Sequence, residues 1–480
     1  MPAPLEPRTL SLEPCRSAVP PCPHFGPCGG CQLQHLAYPA QLAAKAARLR
    51  TLLAATGLQL PELQLHASPP LAYRNRIRLT LAEVSGQLRA GYLTSAPPET
   101  SNLEPRTLNL AFLPIAQCPI AAPILWRATE ALLAELNQRA GPWLKRAPFT
   151  LDQLELFTTA NQSHLQISLF VRTSAKTLPA KLAAAFNALC EALRAHIPQL
   201  AGAGIYLLPT RSARSRRAEQ PRPGPTWGSP GLTYTVPTPE ESIAAQDESV
   251  ILSGANEVSG QLSGSPVNLF TGVKLAGWGG KNPRISSSPL PVPQLPTNNQ
   301  QLTTVFWVPR TAFFQINRFL LPELVSLVSP DPVAANRAGQ SAWDLYAGVG
   351  LFSRALAPHF TRVTAVEIAE PAFTALAQTK LPNLHAVKAT TLDFLRTAVL
   401  QRDRPDRIVL DPPRTGAGPE VCALLARIAA PTLIYVSCSP ETMPSDLHTL
   451  AASGYRVAQL HLLDLFPQTT HIETVAILTR

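Results

Sequence analysis

Two chemically reactive side chains end two neighbouring apolar runs of the sequence. Asp411 follows the run at 408–410, and Cys438 closely follows the run at 433–436. Short β-branched runs bounded by Pro or Gly are typical of strands buried on both faces of a parallel sheet. Ligands bind at the carboxyl ends of the strands in open α/β sheets, so we expect Asp411 and Cys438 to share one crevice.

A lone cysteine after a strand is by default a small buried hydrophobe. The neighbours of Cys438 favour a different role, because Ser437, Ser439 and Pro440 end the strand with small groups instead of an apolar packing face. We therefore expect the Cys438 thiol to point into the crevice.

A second group of reactive side chains lies near the N-terminus. The stretch CPHFGPCGGC places Cys22, Cys28 and Cys31 in a C-x5-C-x2-C spacing. Glycines at 26, 29 and 30 let the backbone curl so that the three thiolates converge on one metal centre. A fourth ligand is needed, for which Cys15 and Cys118 are both candidates. The spacing alone does not separate zinc from an iron–sulfur cluster.

Composition limits the class of protein. A chain of 480 residues is too long for one core and predicts two or three domains. The excess of 41 Lys and Arg over 31 Asp and Glu favours a polyanionic partner. No run of 18 apolar residues is present and the first residues lack a signal-peptide core, so we expect a cytoplasmic protein without a membrane partner. We also expect a monomer. Clustered cysteines in that reducing compartment indicate metal binding or catalysis.

The C-terminal third alternates strand and helix patterns from residue 342 onward. DLYAGVGLFS reads as a strand, a glycine turn and a helix, which lets backbone approach a ligand at a helix N-terminus. Glu367 ends the next strand, where a carboxylate can bind both ribose hydroxyls of a nucleoside. Because no complete G-x-G-x-x-G is present, S-adenosylmethionine fits better than a dinucleotide. The runs at 455–466 and 471–480 are predicted to add an antiparallel edge to the parallel sheet.

The rest of the chain divides into a segment at 1–60 and a domain at 61–310, before a catalytic domain at 311–480. A helix at about 39–53, with Lys45 on its polar side, is expected behind the cysteine motif. The central domain reads as α+β. Its basic hairpin carries Arg74, Arg76 and Arg78 beside Tyr73, either as a solvated strand face or as an RNA contact with base stacking. Residues 210–300 read as a flexible Pro, Ser and Arg-rich insertion.

Seven motifs in order resemble one known family. They are CPHFGPCGGCQLQH, FFQIN, DLYAGVGLFS, VEI, DPPRTGAG, SCSP and FPQTTHIETVAIL. Together they resemble the RNA uracil-C5 methyltransferases, which make 5-methyluridine, and within them the iron–sulfur members that act on 23S rRNA. The resemblance implies a Rossmann-like, class I methyltransferase domain that uses S-adenosylmethionine, with a central RNA-binding domain. It also implies a [4Fe–4S] cluster on Cys22, Cys28, Cys31 and Cys118, which leaves Cys15 spare.

The resemblance also assigns roles to single residues. Four positions match the cofactor site: Gln315, Tyr346, Glu367 and Asp411. Cys438 matches the nucleophile that adds to carbon 6 of uracil, and Glu473 matches the base that removes the proton from carbon 5. Thr390 departs from the family by replacing an acidic residue, with Asp393 three positions later. The family's N-terminal β-barrel is also expected to be absent, because too few residues precede the cysteine motif.

The sequence leaves three alternatives to uracil methylation in 23S rRNA. An RNA cytosine-C5 methyltransferase resembles this chain in having a cysteine after the same late strand. That class carries a second cysteine in the Asp-Pro motif, whereas the motif here is DPPR, which favours uracil. Transfer RNA remains an alternative substrate to 23S rRNA. An RNA-binding iron–sulfur protein without catalysis is the third rival, and the joint presence of Cys438, Glu473 and Glu367 speaks against it.

Overall fold

The computed structural model describes residues 18–95, 110–140, 149–174, 180–209, 221–236, 305–329 and 339–480. Cys15 and most of the predicted insertion therefore lie outside the described residues. The strands, in chain order, are β1 (Leu63–His66), β2 (Arg76–Val84), β3 (Gln87–Ser95), β4 (Leu110–Pro114), β5 (Thr150–Thr158), β6 (Leu165–Thr173), β7 (Leu200–Pro209), β8 (Arg222–Gly228), β9 (Gly231–Thr235), β10 (Val305–Pro309), β11 (Gly339–Leu345), β12 (Phe360–Glu367), β13 (Leu384–Lys388), β14 (Arg407–Leu410), β15 (Thr432–Ser437), β16 (Arg456–Leu463) and β17 (Glu473–Thr479). The α-helices are α1 (Tyr38–Ala54), α2 (Pro123–Glu135), α3 (Ala180–His196), α4 (Leu321–Val328), α5 (Leu351–Leu356), α6 (Ala372–Ala377), α7 (Thr391–Gln401), α8 (Pro419–Ile428) and α9 (Met443–Ala452).

An eight-stranded sheet forms the C-terminal part of the fold, in the order β1-β16-β17-β15-β14-β11-β12-β13. The strands from β11 to β15 are parallel, while β17 is antiparallel to both β15 and β16. This confirms the predicted parallel sheet and its closing antiparallel pair. The pair was wrongly expected to form the edge, because β1, from the N-terminal part of the chain, adds outside β16 in parallel.

Both faces of this sheet are covered, which explains the continuous apolar runs of its strands. Val409 and Ile434 face a cluster that contains residues of α4, α5 and α6. Ile408 and Tyr435 face the opposite cluster, which contains residues of α1, α7, α8 and α9. The predicted N-terminal helix is thus present, but it packs on the sheet and not solely behind the cysteine motif. Lys45, expected on the polar side of α1, is buried and paired with Asp464 at 2.6 Å.

A seven-stranded sheet, in the order β4-β3-β2-β5-β6-β7-β8, forms the central part. Its apolar face packs against α2 and α3, because Ile77, Leu154 and Ile167 share one cluster with Leu125 and Phe186 of those helices. The α+β pattern predicted for this region is therefore observed. The exact division at residues 60 and 310 stays a prediction.

One part of the predicted insertion is ordered sheet, which corrects the expectation of a flexible segment over all of 210–300. Strand β8 adds to the edge of the central sheet, and β9 pairs with β10 in a separate antiparallel ribbon. Leu232 and Tyr234 of β9 are buried, so this stretch supplies apolar side chains to a core. Residues 210–220 and 237–304 lie outside the described residues. Across the described ranges, no helix is long and apolar enough to cross a membrane.

Candidate active site

The sheet brings Asp411 and Cys438 to one edge, as the sequence predicts. Strands β14 and β15 are neighbouring parallel strands with Leu410 paired to Tyr435, so the residues that follow them leave the sheet side by side. Cys438 is half-buried, and the Asp411 carboxylate is close enough to raise the pKa of its thiol.

Glu473 joins this pair through the register of the antiparallel strand β17. Ser437 of β15 pairs with Thr474 of β17, and one further step along the register sets Cys438 opposite Glu473. Residues opposite each other in antiparallel strands have Cβ atoms about 4.5–5.5 Å apart. The Glu473 side chain is 2% exposed, so it lies within the crevice and not on the solvent-facing side of the strand.

Burial and mutual repulsion keep these three acids protonated more readily than usual. Burial raises the pKa of Asp411 to about 7, and nearby Asp344 adds to the shift. Burial and Asp411 raise the pKa of Glu473 well above its usual range. The Cys438 thiol has its pKa raised to about 11 by burial and then by Glu473 and Asp411. In the site without ligands the thiol and the two carboxyl groups therefore tend to stay protonated. A nearby positive charge is needed to favour the Cys438 thiolate.

Arg414 supplies positive charge to this site. Its guanidinium lowers the pKa of Cys438 and also that of Glu473. The sequence signal for this residue was present, since Arg414 is the last residue of the DPPR motif. Its loop is anchored by Asp446, whose carboxylate accepts hydrogen bonds from the backbone N–H of Ala417 at 2.8 Å and from the Tyr435 hydroxyl at 2.6 Å.

This arrangement predicts how Cys438 reacts with an alkylating reagent in the absence of ligands. Alkylation should rise about tenfold per pH unit towards a midpoint near pH 11, because only the thiolate reacts. Arg414→Ala removes a cation and should move the midpoint to higher pH, whereas Glu473→Gln removes an anion and should move it to lower pH. Peptide mass spectrometry of iodoacetamide-treated protein measures the Cys438 rate separately from the other cysteines. Shifts in the opposite directions would contradict the placement of these charges.

Two of the predicted cofactor residues, Tyr346 and Glu367, lie at the glycine turn after β11. Tyr346 follows the strand with a left-handed backbone, at φ 63°, and Gly348 follows at φ 58°. The Gly348 N–H donates to Glu367 Oε2 at 2.8 Å, and the N–H groups of Ile368 and Ala369 donate to Glu367 Oε1 at 2.7 and 2.6 Å. The Glu367 carboxylate is thus fixed at the carboxyl edge of the sheet, where ribose hydroxyls can donate to its remaining lone pairs.

A buried carboxyl that sequence reasoning missed lies beneath this turn. Asp344, near the end of β11, is fully buried, and burial raises its pKa to about 7. Its Oδ2 accepts a hydrogen bond from the Ser353 hydroxyl of α5, while its Oδ1 has no hydrogen-bond partner within the described part of the chain. An unsatisfied acceptor beside a glycine turn fits a site that receives a polar ligand.

Gln315 and Thr390 complete the positions that the resemblance singles out. Gln315 is 7% exposed and lies against the central sheet, where its carbonyl accepts from Asn75 Nδ2 at 3.0 Å. The contacts of the described residues tie it to Asn75 and not to the other three cofactor positions. Thr390 is the N-cap of α7, and its side chain accepts from the Asp393 N–H at 3.1 Å. Asp393 in turn accepts from the Thr390 hydroxyl at 2.6 Å, so this pair closes a helix cap.

The four predicted metal ligands meet at one cavity. Cys22, Cys28, Cys31 and Cys118 line a cavity of about 150 Å³ together with Arg74. Within the described ranges, no group of three or more His, Cys, Asp or Glu side chains is arranged to hold a single metal ion. The thiols nevertheless interact electrostatically, since Cys28 and Cys31 each raise the pKa of a neighbouring cysteine.

The side chains of the basic hairpin make contacts within the protein. Arg76 and Arg78 both pair with Glu155, at 3.4 and 2.8 Å, and each guanidinium lies over an aromatic ring of the same sheet. Tyr73 is fully buried and donates to the carbonyl of Pro467, so its ring is not available to stack on RNA bases. Arg76 and Tyr73 therefore serve the fold, whereas the Arg78 side chain remains about half exposed.

The sequence is similar to those of known RNA methyltransferases. Residues 298–480 match the family model described as tRNA (uracil-5-)-methyltransferase. An RNA methyltransferase of Thermotoga maritima is 38% identical over 36% of this chain and 40% of its own length. The 23S rRNA (uracil(1939)-C(5))-methyltransferase RlmD of Chromohalobacter salexigens is 27% identical over 98% of this chain and 78% of its own length.

A solved structure shows the same fold over most of the chain. It is the tRNA (uracil-54, C5)-methyltransferase of Pyrococcus abyssi in complex with S-adenosyl-L-homocysteine, with a TM-score of 0.58 and 20% identity over 94% of this chain and 86% of that one. Residues 298–480 of the chain therefore belong to the RNA uracil-C5 methyltransferase family.

Proposed function

We propose that this protein transfers a methyl group from S-adenosylmethionine to carbon 5 of a uridine in 23S rRNA through a covalent Cys438 adduct. The observation that carries the proposal is the position of Cys438 opposite Glu473 and beside Asp411 in one crevice. A nucleophile and a base on facing strands can act on adjacent atoms of one pyrimidine ring. The protein would do this in the cytoplasm.

The chemistry requires a nucleophile because carbon 5 of uracil is unreactive towards a methyl sulfonium. The Cys438 thiolate forms a bond to carbon 6, and the electron pair of the ring double bond moves towards carbon 5 and the carbonyl oxygen. When bound, S-adenosylmethionine supplies the methyl cation equivalent. Glu473 takes the proton from carbon 5, and the carbon–sulfur bond at carbon 6 then breaks to regenerate the thiolate.

The charges around Cys438 indicate when the thiolate forms. In the free protein, burial and two carboxyl groups hold the Cys438 proton in place. The positive sulfonium would oppose that effect from the cofactor side, and Arg414 already opposes it from the DPPR loop. Asp411, with its pKa raised to about 7, can donate to or accept from the polar edge of the ring according to its protonation. The raised pKa of Glu473 makes its carboxylate a stronger base once it is deprotonated.

For the cofactor, Tyr346, Glu367 and Asp411 supply the groups at the carboxyl edge of the sheet, with Gln315 assigned from the family motif. Glu367 would bind the ribose, because its carboxylate is held rigidly by three backbone N–H groups. The unsatisfied Oδ1 of Asp344 supports a polar ligand above it. Thr390 and Asp393 close a helix cap, so adenine recognition would rest on other groups.

The choice of RNA rests on the relatives. The similarity to an enzyme named for 23S rRNA spans 98% of the chain, whereas a cytosine enzyme would need a cysteine where DPPR has none. The test incubates the protein with unmodified 23S rRNA and unmodified tRNA in parallel and measures modified nucleosides by mass spectrometry. We expect 5-methyluridine in 23S rRNA. Modification of tRNA alone would show that tRNA, and not 23S rRNA, is the substrate. Formation of 5-methylcytidine would overturn the proposed reaction.

We further propose that Cys22, Cys28, Cys31 and Cys118 hold a [4Fe–4S] cluster. A cubane places each thiolate on a different iron, so its ligands surround a volume instead of one ion. The shared cavity of about 150 Å³ provides that volume, and Arg74 beside it favours the negative charge of a thiolate-bound cluster.

Anaerobic purification tests this assignment. The protein should contain iron and sulfide in equal amounts and show the broad visible absorption of a cluster, which Cys28→Ala should greatly reduce. Cys190→Ala is the matched control, because Cys190 lies in the central core. Stoichiometric zinc without iron would contradict the cluster.

A further inference from the structure

The loop that leads into Glu473 is held by the N-terminal part of the chain. It spans residues 464–472 between β16 and β17, whose ends meet in the pair Leu463 and Glu473. Gln468, in the middle of the loop, has a φ of 67°. Residues other than glycine adopt this left-handed backbone only where surrounding contacts fix it.

The contacts that fix Gln468 come from residues more than 400 positions earlier. Gln41 Nε2 of α1 donates to Gln468 Oε1 at 2.9 Å, and the Gln468 N–H donates to Gln41 Oε1 at 3.0 Å. The Gln468 carbonyl accepts from the N–H groups of Gln32 and Leu33, both at 3.0 Å. The side chains of Gln41 and Gln468 are 1% and 5% exposed, so water does not replace a lost partner easily.

Further contacts join the same loop to the N-terminal segment. Lys45 Nζ donates to Asp464 Oδ1 at 2.6 Å and to the Phe466 carbonyl at 2.9 Å. The Thr470 N–H, three residues before Glu473, donates to Gln32 Oε1 at 3.3 Å. The loop therefore has hydrogen bonds to the N-terminal segment at its start, middle and end.

We propose that Gln41 and Gln468 are positioning residues for Glu473, so that α1 controls the removal of the proton from carbon 5 of uracil. This inference rests on the function proposed above. Proton transfer requires donor and acceptor within hydrogen-bond reach, and a displacement of about 1 Å can slow a reaction about 100-fold. Cys438 follows the end of β15, on a different strand connection, so this loop does not hold the nucleophile itself.

The test separates the two steps in single-turnover reactions with labelled RNA. Gln41→Ala keeps a good helix former in α1 and removes the paired amide. We expect adduct formation within about threefold of wild type and release of methylated RNA slowed about 10- to 100-fold. The covalent RNA–protein complex should therefore accumulate on a denaturing gel. Gln468→Gly, which retains the left-handed backbone without the side chain, should give the same pattern.

Thr51→Ala is the matched control on the same helix, because the Thr51 hydroxyl donates to the Ala47 carbonyl on the exposed side of α1. It should form and release the adduct at wild-type rates. An equal loss of both steps in Gln41→Ala and Gln468→Gly indicates general disruption and would overturn the inference, as would wild-type release in both. If wild-type protein forms no adduct, the proposed function fails first and this inference fails with it.

Discussion

Cys438→Ala is expected to lower the rate of 5-methyluridine formation by on the order of 10⁴-fold or more, which corresponds to about 5.5 kcal/mol of transition-state stabilisation. The reason is chemical, because without the sulfur no group in the crevice makes carbon 5 of uracil nucleophilic. Single-turnover methyl transfer from labelled S-adenosylmethionine to 23S rRNA measures the loss. Binding of S-adenosylmethionine should stay within about threefold of wild type, since Cys438 is assigned to the uracil side of the site.

The control for this variant is Cys190→Ala. Cys190 is a fully buried cysteine of α3 in the central core, so its loss tests for a general effect of removing a thiol. A Cys438→Ala protein that retains more than a tenth of wild-type activity would exclude the covalent route. It would also leave the raised pKa of the Cys438 thiol as a property of a buried structural residue.

Glu473→Gln is expected to stop the reaction after methyl transfer. The amide cannot take the proton from carbon 5, so the thiolate cannot leave and the methylated RNA stays attached to Cys438. Turnover should fall about 10²- to 10⁴-fold, the usual contribution of a general base. The stalled complex should appear as a protein–RNA band that survives denaturation, with one methyl group transferred per protein.

Glu420→Gln provides the comparison for Glu473→Gln. Glu420 is an exposed carboxylate paired with Arg396 on the surface, so turnover should remain at the wild-type level. Prompt release of methylated RNA by Glu473→Gln would remove Glu473 from the role of base. Failure to form any adduct would assign it to an earlier step, for example ionisation of the Cys438 thiol.

The meeting of Asp411 and Cys438 was predictable because it follows from local patterns. Two short apolar runs bounded by Pro and Gly indicate parallel strands, and the ends of neighbouring parallel strands lie at one edge. The same reasoning placed Glu367 at that edge.

Other features were not readable because they depend on contacts between distant parts of the chain. The side chain of Lys45 has the helical spacing of a solvated residue, yet it is buried because Asp464, more than 400 positions away, pairs with it. Strand β1 has no pattern that predicts pairing with β16. The position of Glu473 opposite Cys438 needs the register of β15 and β17, which a sequence motif does not specify.

The electrostatics of the site shows the same limit. The motif DPPR contains Arg414 in plain view, but only the fold shows that its charge acts on both Cys438 and Glu473. Asp344 reads as part of a strand in the sequence, and its raised pKa follows from complete burial beneath the glycine turn. Local patterns thus predict which side chains meet, whereas their ionisation follows from burial.

The most direct test of the covalent mechanism uses RNA that contains 5-fluorouridine. Its carbon 5 carries fluorine in place of hydrogen, so after methyl transfer there is no proton to remove and the adduct persists. Wild-type protein is incubated with this RNA and S-adenosylmethionine, digested, and analysed by mass spectrometry for the cross-linked peptide. We expect a methylated 5-fluorouridine nucleotide attached to Cys438. A cross-link at another residue, or complete recovery of free RNA, would contradict it.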